Sequence, residues 1–327
     1  MTSGERKEAI SAFVFLSPFL IWMIFLMGGP ILAAFFLSFC EWDVVTPFSF
    51  GHNFVGFHNY IEMFGFHFNS SGAIEWNDPR FWKSLWNTAY FTFLSVPIGM
   101  VLSVIVALLM NQKVKGIAIY RTLFYLPSVV GAGVAVAVLW KWIFNADTGL
   151  LNYMINLLTG ISISADPNCP TCLHCPTWLA SEVWSKPALV IMSLWGVGGG
   201  MIIYLAGLQG IPATLYEAAE IDGASRWQQL WTVTLPGLSP VIFFQLIISI
   251  VSSFQIFTQV DVMTDGRGGP ADSTLVMVLY IYQKAFQFYQ MGYASALALV
   301  LFIVILLATW VQFKYSKWVY YEGELRK

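Results

Sequence analysis

Six stretches of this chain are apolar over about twenty residues or more, and they constrain the fold more than any other feature. They cover residues 10–39, 87–110, 122–144, 188–208, 241–263 and 292–313. A helix needs about 20 such residues to cross the hydrocarbon of a bilayer. Between them the chain is poor in charge, with 10% charged and 57% hydrophobic residues. A soluble domain carries roughly a quarter charged residues, so a chain this poor in charge cannot keep its surface wetted. The reading is an all-α membrane protein with six transmembrane helices. A net charge of −2 with no basic run excludes a nucleic-acid partner.

The first apolar stretch has a charged start, MTSGERKEAI, and no small-residue cleavage site after it. It is expected to stay as a span, tilted or kinked at Pro18 and at Gly28-Gly29-Pro30. Lysine and arginine set the orientation. If both termini and the loops after the second and fourth spans share one side, that side collects Arg6, Lys7, Lys113, Lys115, Arg121, Arg226, Lys314, Lys317, Arg326 and Lys327. The other side, with much longer loops, holds Arg80, Lys83, Lys141, Lys186, Arg267 and Lys284. Both termini are therefore expected in the cytoplasm. The division expected is an N-terminal span with an external loop, 1–80, and a five-helix core, 81–327.

One cytoplasmic loop, about 211–240, is patterned rather than merely polar. Residues 216–236 read YEAAEIDGASRWQQLWTVTLP. Leu215, Ala218, Ala219, Ala224, Trp227 and Leu230 recur near helical spacing, which predicts a short helix with a small apolar face. Gly223 permits a bend, and Pro236 and Pro240 are expected to stop the helix before the fifth span. Glu217, Glu220 and Asp222 place acid where a partner protein pairs with it. The bland reading, a solvated connection, does not account for a pattern of over twenty residues.

Glu217-Ala218-Ala219, then Gly223, then Val233-Thr234-Leu235-Pro236 resembles the EAA loop of binding-protein-dependent ABC importer permeases. Further blocks are similar to the sugar-type, maltose-permease-like branch: Phe54-Val55-Gly56-Phe57 with Asn59-Tyr60, Phe81-Trp82 with Asn87-Thr88, Gly268-Gly269-Pro270 with Ser273-Thr274, and Gly292-Tyr293-Ala294-Ser295-Ala296. The resemblance runs from the first span to the C-terminus and departs from the usual pattern at Val233, where isoleucine is common. It implies a type I ABC importer transmembrane domain in a bacterial or archaeal plasma membrane. Its implied partners are a second homologous permease subunit, two copies of an ABC ATPase and an extracytoplasmic solute-binding protein. It also assigns an ATPase-coupling role to Glu217 as charged anchor, Ala218 and Ala219 as packing face, and Gly223 as bend, with Asp222 and Ala224 beside it. No glycine precedes a lysine anywhere, so a Walker A loop is absent and ATP hydrolysis falls to another chain. The chain itself is not expected to be an enzyme or to need a cofactor.

Polar groups at membrane depth face a cavity or another helix. In SSFQIFTQVD, helical spacing puts Gln255 and Gln259 on one face with Ser252. Amides bond sugar hydroxyls, and Phe254 or Phe257 covers the apolar face of a sugar ring; interhelical glue is the competing reading. Trp195 is a candidate stacking platform, one of fourteen tryptophans, most of which suit interfacial anchoring. Gly196, Gly198, Gly199 and Gly200 suit a subunit interface or a flexible point. The near absence of lysine and arginine in the spans favours a neutral solute over glycerol phosphate; another polyol stays open.

The run CPTCLHC brings Cys169, Cys172 and Cys175 together with His174 in an external loop. A disulfide within the loop or to Cys40, a metal site and free thiols all stand as readings, the disulfide first in an oxidising compartment. A membrane redox protein would place histidine inside the spans, whereas His52, His58, His67 and His174 all lie in external loops. A secondary transporter would carry coupling charges at mid-membrane, and none are there.

Overall fold

The computed structural model describes residues 3–320, apart from 46, 48–52, 69–72, 113, 131–132, 160–162, 165–172 and 175–176. Five helices are long and apolar enough to cross a membrane: Arg6–Leu37, Pro79–Met110, Ser185–Gly210, Arg226–Phe254 and Met291–Lys314. Two further helices, Ile117–Val130 and Val134–Ile143, meet at 104° and are apolar and long enough to make a sixth crossing if taken together. The chain is thus a helical, multi-pass membrane protein. The third span, expected as one helix over 122–144, is broken instead. Gly133, extended at φ −76° and ψ −175°, caps its second half and cannot continue a helix.

Prolines bend these spans less than the sequence suggests. The helix Ser3–Trp22 of the first span continues past Pro18, and its irregularity is a wide π turn at Met23–Gly28. A second π turn, Leu230–Thr234, leads into the helix Leu235–Phe254. Each turn ends just before a proline, and the preceding residue bonds five residues back: Gly29 N–H to the Ile24 carbonyl, Leu235 N–H to Leu230. A proline ring clashes with the carbonyl four residues earlier, and a widened turn moves that carbonyl aside. Pro236 is absorbed this way and Pro240 lies inside the helix Leu235–Phe254, so the expected stop before the fifth span does not occur. The helix runs unbroken from Arg226 to Phe254.

The described residues form two compact units, 1–79 with 281–302, and 80–280 with 303–327. In the first, the end of the opening span is tied down by the block around Asn59. Asn59 donates from Nδ2 to the carbonyls of Ser38 and Cys40 at 2.8 and 3.0 Å, and Tyr60 donates to Ser38 Oγ at 2.8 Å. Gly292 packs on the same spot: a Cβ there would lie 1.8 Å from the Cys40 carbonyl oxygen. Tyr293 donates to the buried carboxylate of Asp78 at 2.5 Å.

In the second unit, the spans pack through small residues. A Cβ on Gly198 would strike the Phe124 carbonyl at 2.0 Å, and one on Gly200 would meet Ser103 Oγ at 2.6 Å. These glycines serve contacts between helices of this chain. The run 264–276, by contrast, has almost no regular structure, and six of its residues, Asp265, Gly266, Gly268, Gly269, Ala271 and Asp272, have positive φ. Much of it is buried, so its backbone groups need partners. The second span supplies them. Asn87 donates to the carbonyls of Asp272 and Leu275, both at 2.9 Å, and Thr88 Oγ1 accepts from the Met277 N–H at 2.9 Å. Arg80 grips the Asp272 carboxylate with two bonds of 3.0 and 2.9 Å, and Lys83 donates to the Ala271 carbonyl.

Replacing Asn87 by leucine strands two buried carbonyls, each worth about 1–3 kcal/mol when unpaired. Thermal unfolding of the purified protein in detergent should therefore fall by several degrees, whereas Trp86→Leu, one residue away on an exposed position, should leave it unchanged.

Candidate functional site

Two places in the structure gather the candidate functional residues. The first is the helical hairpin that precedes the fifth span. Ala213–Ile221 forms its first helix, with Asp222 as the C-cap. Gly223 follows at φ +78°, a left-handed conformation that suits glycine. Its N–H bonds the Glu220 carbonyl at 3.0 Å, and the Ala224 N–H bonds the Ala219 carbonyl at 2.9 Å. This pair of bonds is a Schellman closure, which satisfies carbonyls the helix end would leave open. Two residues later Ser225 starts the next helix with a capping box. Its hydroxyl accepts from Gln228 N–H, and the Gln228 side chain accepts from Ser225 N–H at 2.8 Å. The sequence AEIDGASRWQ thus encodes a stop and a restart with one residue, Ala224, between the two turning points.

The hairpin is held from one side only. Tyr216 and Thr234 hydroxyls meet at 3.1 Å, and Gln229 Nε2 donates to the Ala224 carbonyl at 3.3 Å. The rest faces outward. Ile221 is 87% exposed, and Trp227 and Trp231, stacked edge to face at 5.9 Å, are 67% and 58% exposed. Glu217, Glu220 and Asp222 are exposed and make no ion pair among the described residues. Ala218 is exposed, and Ala219 and Ala224 are half-buried under the turn. The single apolar face expected from spacing is in fact divided between two helices, because Gly223 reverses the path between Ala219 and Trp227. Ile221 and Trp231, both missed by the spacing argument, add two further large apolar groups to the surface beside Trp227.

The second place is a cavity of about 530 Å³ within the second unit. It lies against the middle of the second span, from Phe91 to Ser103, and against breaks in two other spans. One is the short tight turn Leu194–Gly196 in the fourth span. The other follows Phe254, where the fifth helix ends: Gln255 is its C-cap at φ −99°, and Phe257 sits at φ −139° and ψ −68° before a short helix Thr258–Met263. Trp195, Gln255 and Gln259 all line the cavity. They converge because the helix breaks, and not through the helical spacing expected from sequence. Phe254 does not line it. This ring is buried on the helix's last turn, and Phe257, carried round by the break, lines the cavity instead.

Most of the polar lining was missed from sequence, although the signal is there. Ser95 and Ser103 bracket Gly99 at intervals of four, and Gln245, Ser249 and Ser253 repeat at the same interval. Such a row puts hydroxyls and amides down one helix face. Among the described residues, no aspartate, glutamate, lysine, arginine or histidine lines the cavity.

Cys169, Cys172 and Cys175 lie outside the described residues. Cys40 is a free, buried thiol whose Sγ lies 3.6 Å from the Phe36 carbonyl. It is not joined to that cluster, and burial raises its pKa.

Residues 77–319 match the family of binding-protein-dependent transport system inner membrane components. The chain is 37% identical over 320 residues to the probable ABC transporter permease protein YesP of Bacillus subtilis, covering 98% of this chain and 94% of that one. It is 33% identical over 315 residues to the lactose transport system permease protein LacF of Rhizobium radiobacter, covering 95% and 96%. A crystal structure of a bacterial alginate ABC transporter in complex with an alginate pentasaccharide-bound periplasmic protein contains a chain of the same fold. Its TM-score is 0.74 at 21% identity, with 96% of each chain covered. The chain belongs to this family of ABC importer permeases, which are transport components rather than enzymes.

Substituting Ser225 by alanine removes the capping box at a cost of about 1 kcal/mol. Hydrogen exchange of the amides at 226–229 should speed up roughly fivefold, while exchange in the body of the second span stays as it was.

Proposed function

We propose that the chain is one permease subunit of an ATP-driven importer of a sugar or oligosaccharide, and that the hairpin 213–229 couples it to a separate ATPase. The observation that carries the coupling role is the exposed, rigidly built surface of Ile221, Trp227 and Trp231 beside three unpaired acids. Large apolar side chains next to charge mark protein–protein contacts. Two reciprocal caps hold the hairpin in one shape, so a push on it travels into the fifth span without a flexible joint. That span is continuous from Arg226 to Phe254 and ends at the cavity.

In this reading Glu217 is the charged anchor, Asp222 adds acid beside it, and Ala218, Ala219, Gly223 and Ala224 shape the turn. The hairpin and both termini lie in the cytoplasm of a bacterial or archaeal cell, and the protein sits in the plasma membrane. Residues 1–80 supply an N-terminal span and external loop, and 81–327 the five-helix core. A second homologous permease subunit completes the pathway, two ATPase copies bind below, and a solute-binding protein delivers the sugar from outside. Closure of the ATPases on ATP draws the hairpins together and turns the cavity from one side of the membrane to the other. The saccharide assignment is supported by the lactose permease relative and by a cavity lined with amides, hydroxyls and aromatic rings.

Glu217→Ala removes the anchor. Gly223→Val forces a β-branched residue into left-handed backbone, which costs about 1–2 kcal/mol. Both variants should reach the membrane at wild-type levels but retain less ATPase subunit on purification and lose most transport. Wild-type retention and transport in both would refute the docking role.

A further inference from the structure

The helix that leaves the hairpin carries a weak turn, and the C-terminal run of the chain is fastened across it. Pro240 has no N–H to give the Pro236 carbonyl four residues back, so the ladder of the fifth span lacks a bond there. Ser239 makes up for it: its buried hydroxyl donates to the Pro236 carbonyl at 2.7 Å. The same oxygen accepts the backbone N–H of Tyr320 at 2.8 Å. The last span ends at Lys314, and a short tight turn, Ser316–Trp318, brings the chain back to this point. Trp318 and Phe313 both meet the Phe243 ring edge to face, with centroids 6.2 and 5.5 Å away, and Val319 is buried. Ile211, just before the hairpin, packs on the same turn: a Cβ on Gly237 would lie 2.9 Å from its Cδ1.

We infer that residues 315–320 are a splint for transport, and that Ser239 is the positioning residue that holds it. The inference rests on the coupling role proposed above for the hairpin and deepens it. A push at 213–229 has to pass residues 236–240 to reach the cavity beyond Phe254. A proline with a missing ladder bond is where helices bend, and a bend there would absorb the movement. Fastened one turn earlier or later, the tail would meet backbone groups already paired within the helix. At Ser239 it meets an acceptor, because the hydroxyl gives its hydrogen to the carbonyl that Pro240 leaves open and keeps a lone pair for the tail. The hairpin, the start of the fifth span and the end of the last span thereby move as one body.

The test uses the assembled transporter, this chain with its partner subunits, in lipid nanodiscs. Spin labels are carried on non-canonical residues at the exposed positions 232 and 315, so that the native cysteines stay in place. Their separation is measured by pulsed electron spin resonance at rest and after trapping with ATP and vanadate. In the wild type the separation should be the same in both states. Ser239→Ala removes both bonds, and Val319→Asp unseats the tail with no change in the sequence of the fifth helix. In each, trapping should shift the separation by about 5 Å, the scale of a slip by one helical turn, and combining the two should add nothing further. Ser239→Thr keeps a hydroxyl and should restore a constant separation. A shift in the wild type would overturn the inference, and so would a constant separation in both Ser239→Ala and Val319→Asp. Loss of folded complex in both variants would overturn it too, because the contact would then serve the fold alone. A wild-type complex that retains no ATPase subunit would instead refute the coupling role beneath the splint, and this shows on purification, before any separation is measured.

Discussion

A buried backbone must find hydrogen-bond partners inside the protein, and the rest of this structure depends on how that demand is met where helices stop. Straight helices satisfy it alone. This chain stops or bends helices near residue 133, at 194–196, after 254 and through 264–276, and two of these breaks create the cavity. The cost of the longest irregular run is offset in its second half by one helix face: Arg80, Lys83, Asn87 and Thr88 hold the segment from Ala271 to Met277. Those four side chains make a non-helical segment tolerable in a membrane protein.

The same demand explains why short sequence blocks far apart in the chain are related in space. Asn87-Thr88 and the run from Gly268 to Thr274 are separated by about 185 residues in sequence and are direct hydrogen-bond partners. The Asn59 block and Gly292 meet at the Cys40 carbonyl. Each block combines a side-chain donor that reaches backbone with a glycine that lets backbone come close. Their pairing is a property of the fold, and no local reading of either block supplies it.

What was legible in sequence was whatever obeys a period or a cap. Twenty-residue apolar runs marked the spans, and Gly223 marked the bend of the hairpin, while the restart at Ser225 was not read. Breaks were harder. Pro236 looked like a stop and is absorbed by a π turn, while the end of the fifth helix at Phe254 has no proline or glycine to announce it. Of the two rings the sequence left open there, Phe254 and Phe257, it is Phe257 that lines the cavity. Trp195, Gln255 and Gln259 were found by residue type and share a cavity for a different geometric reason than spacing implied.

Taken together, the hairpin and the cavity stand at the two ends of one continuous helix, Arg226–Phe254, and the account stands or falls on whether force enters at the hairpin. Site-specific crosslinking from position 221, the most exposed of the three apolar side chains there, measures this most directly. With a photoreactive residue in place of Ile221, the ATPase subunit should be captured in membranes at high yield, and the yield should change when ATP and vanadate trap the closed state. Capture of no nucleotide-binding chain, or labelling of position 221 by an impermeant reagent from outside the cell, would contradict it.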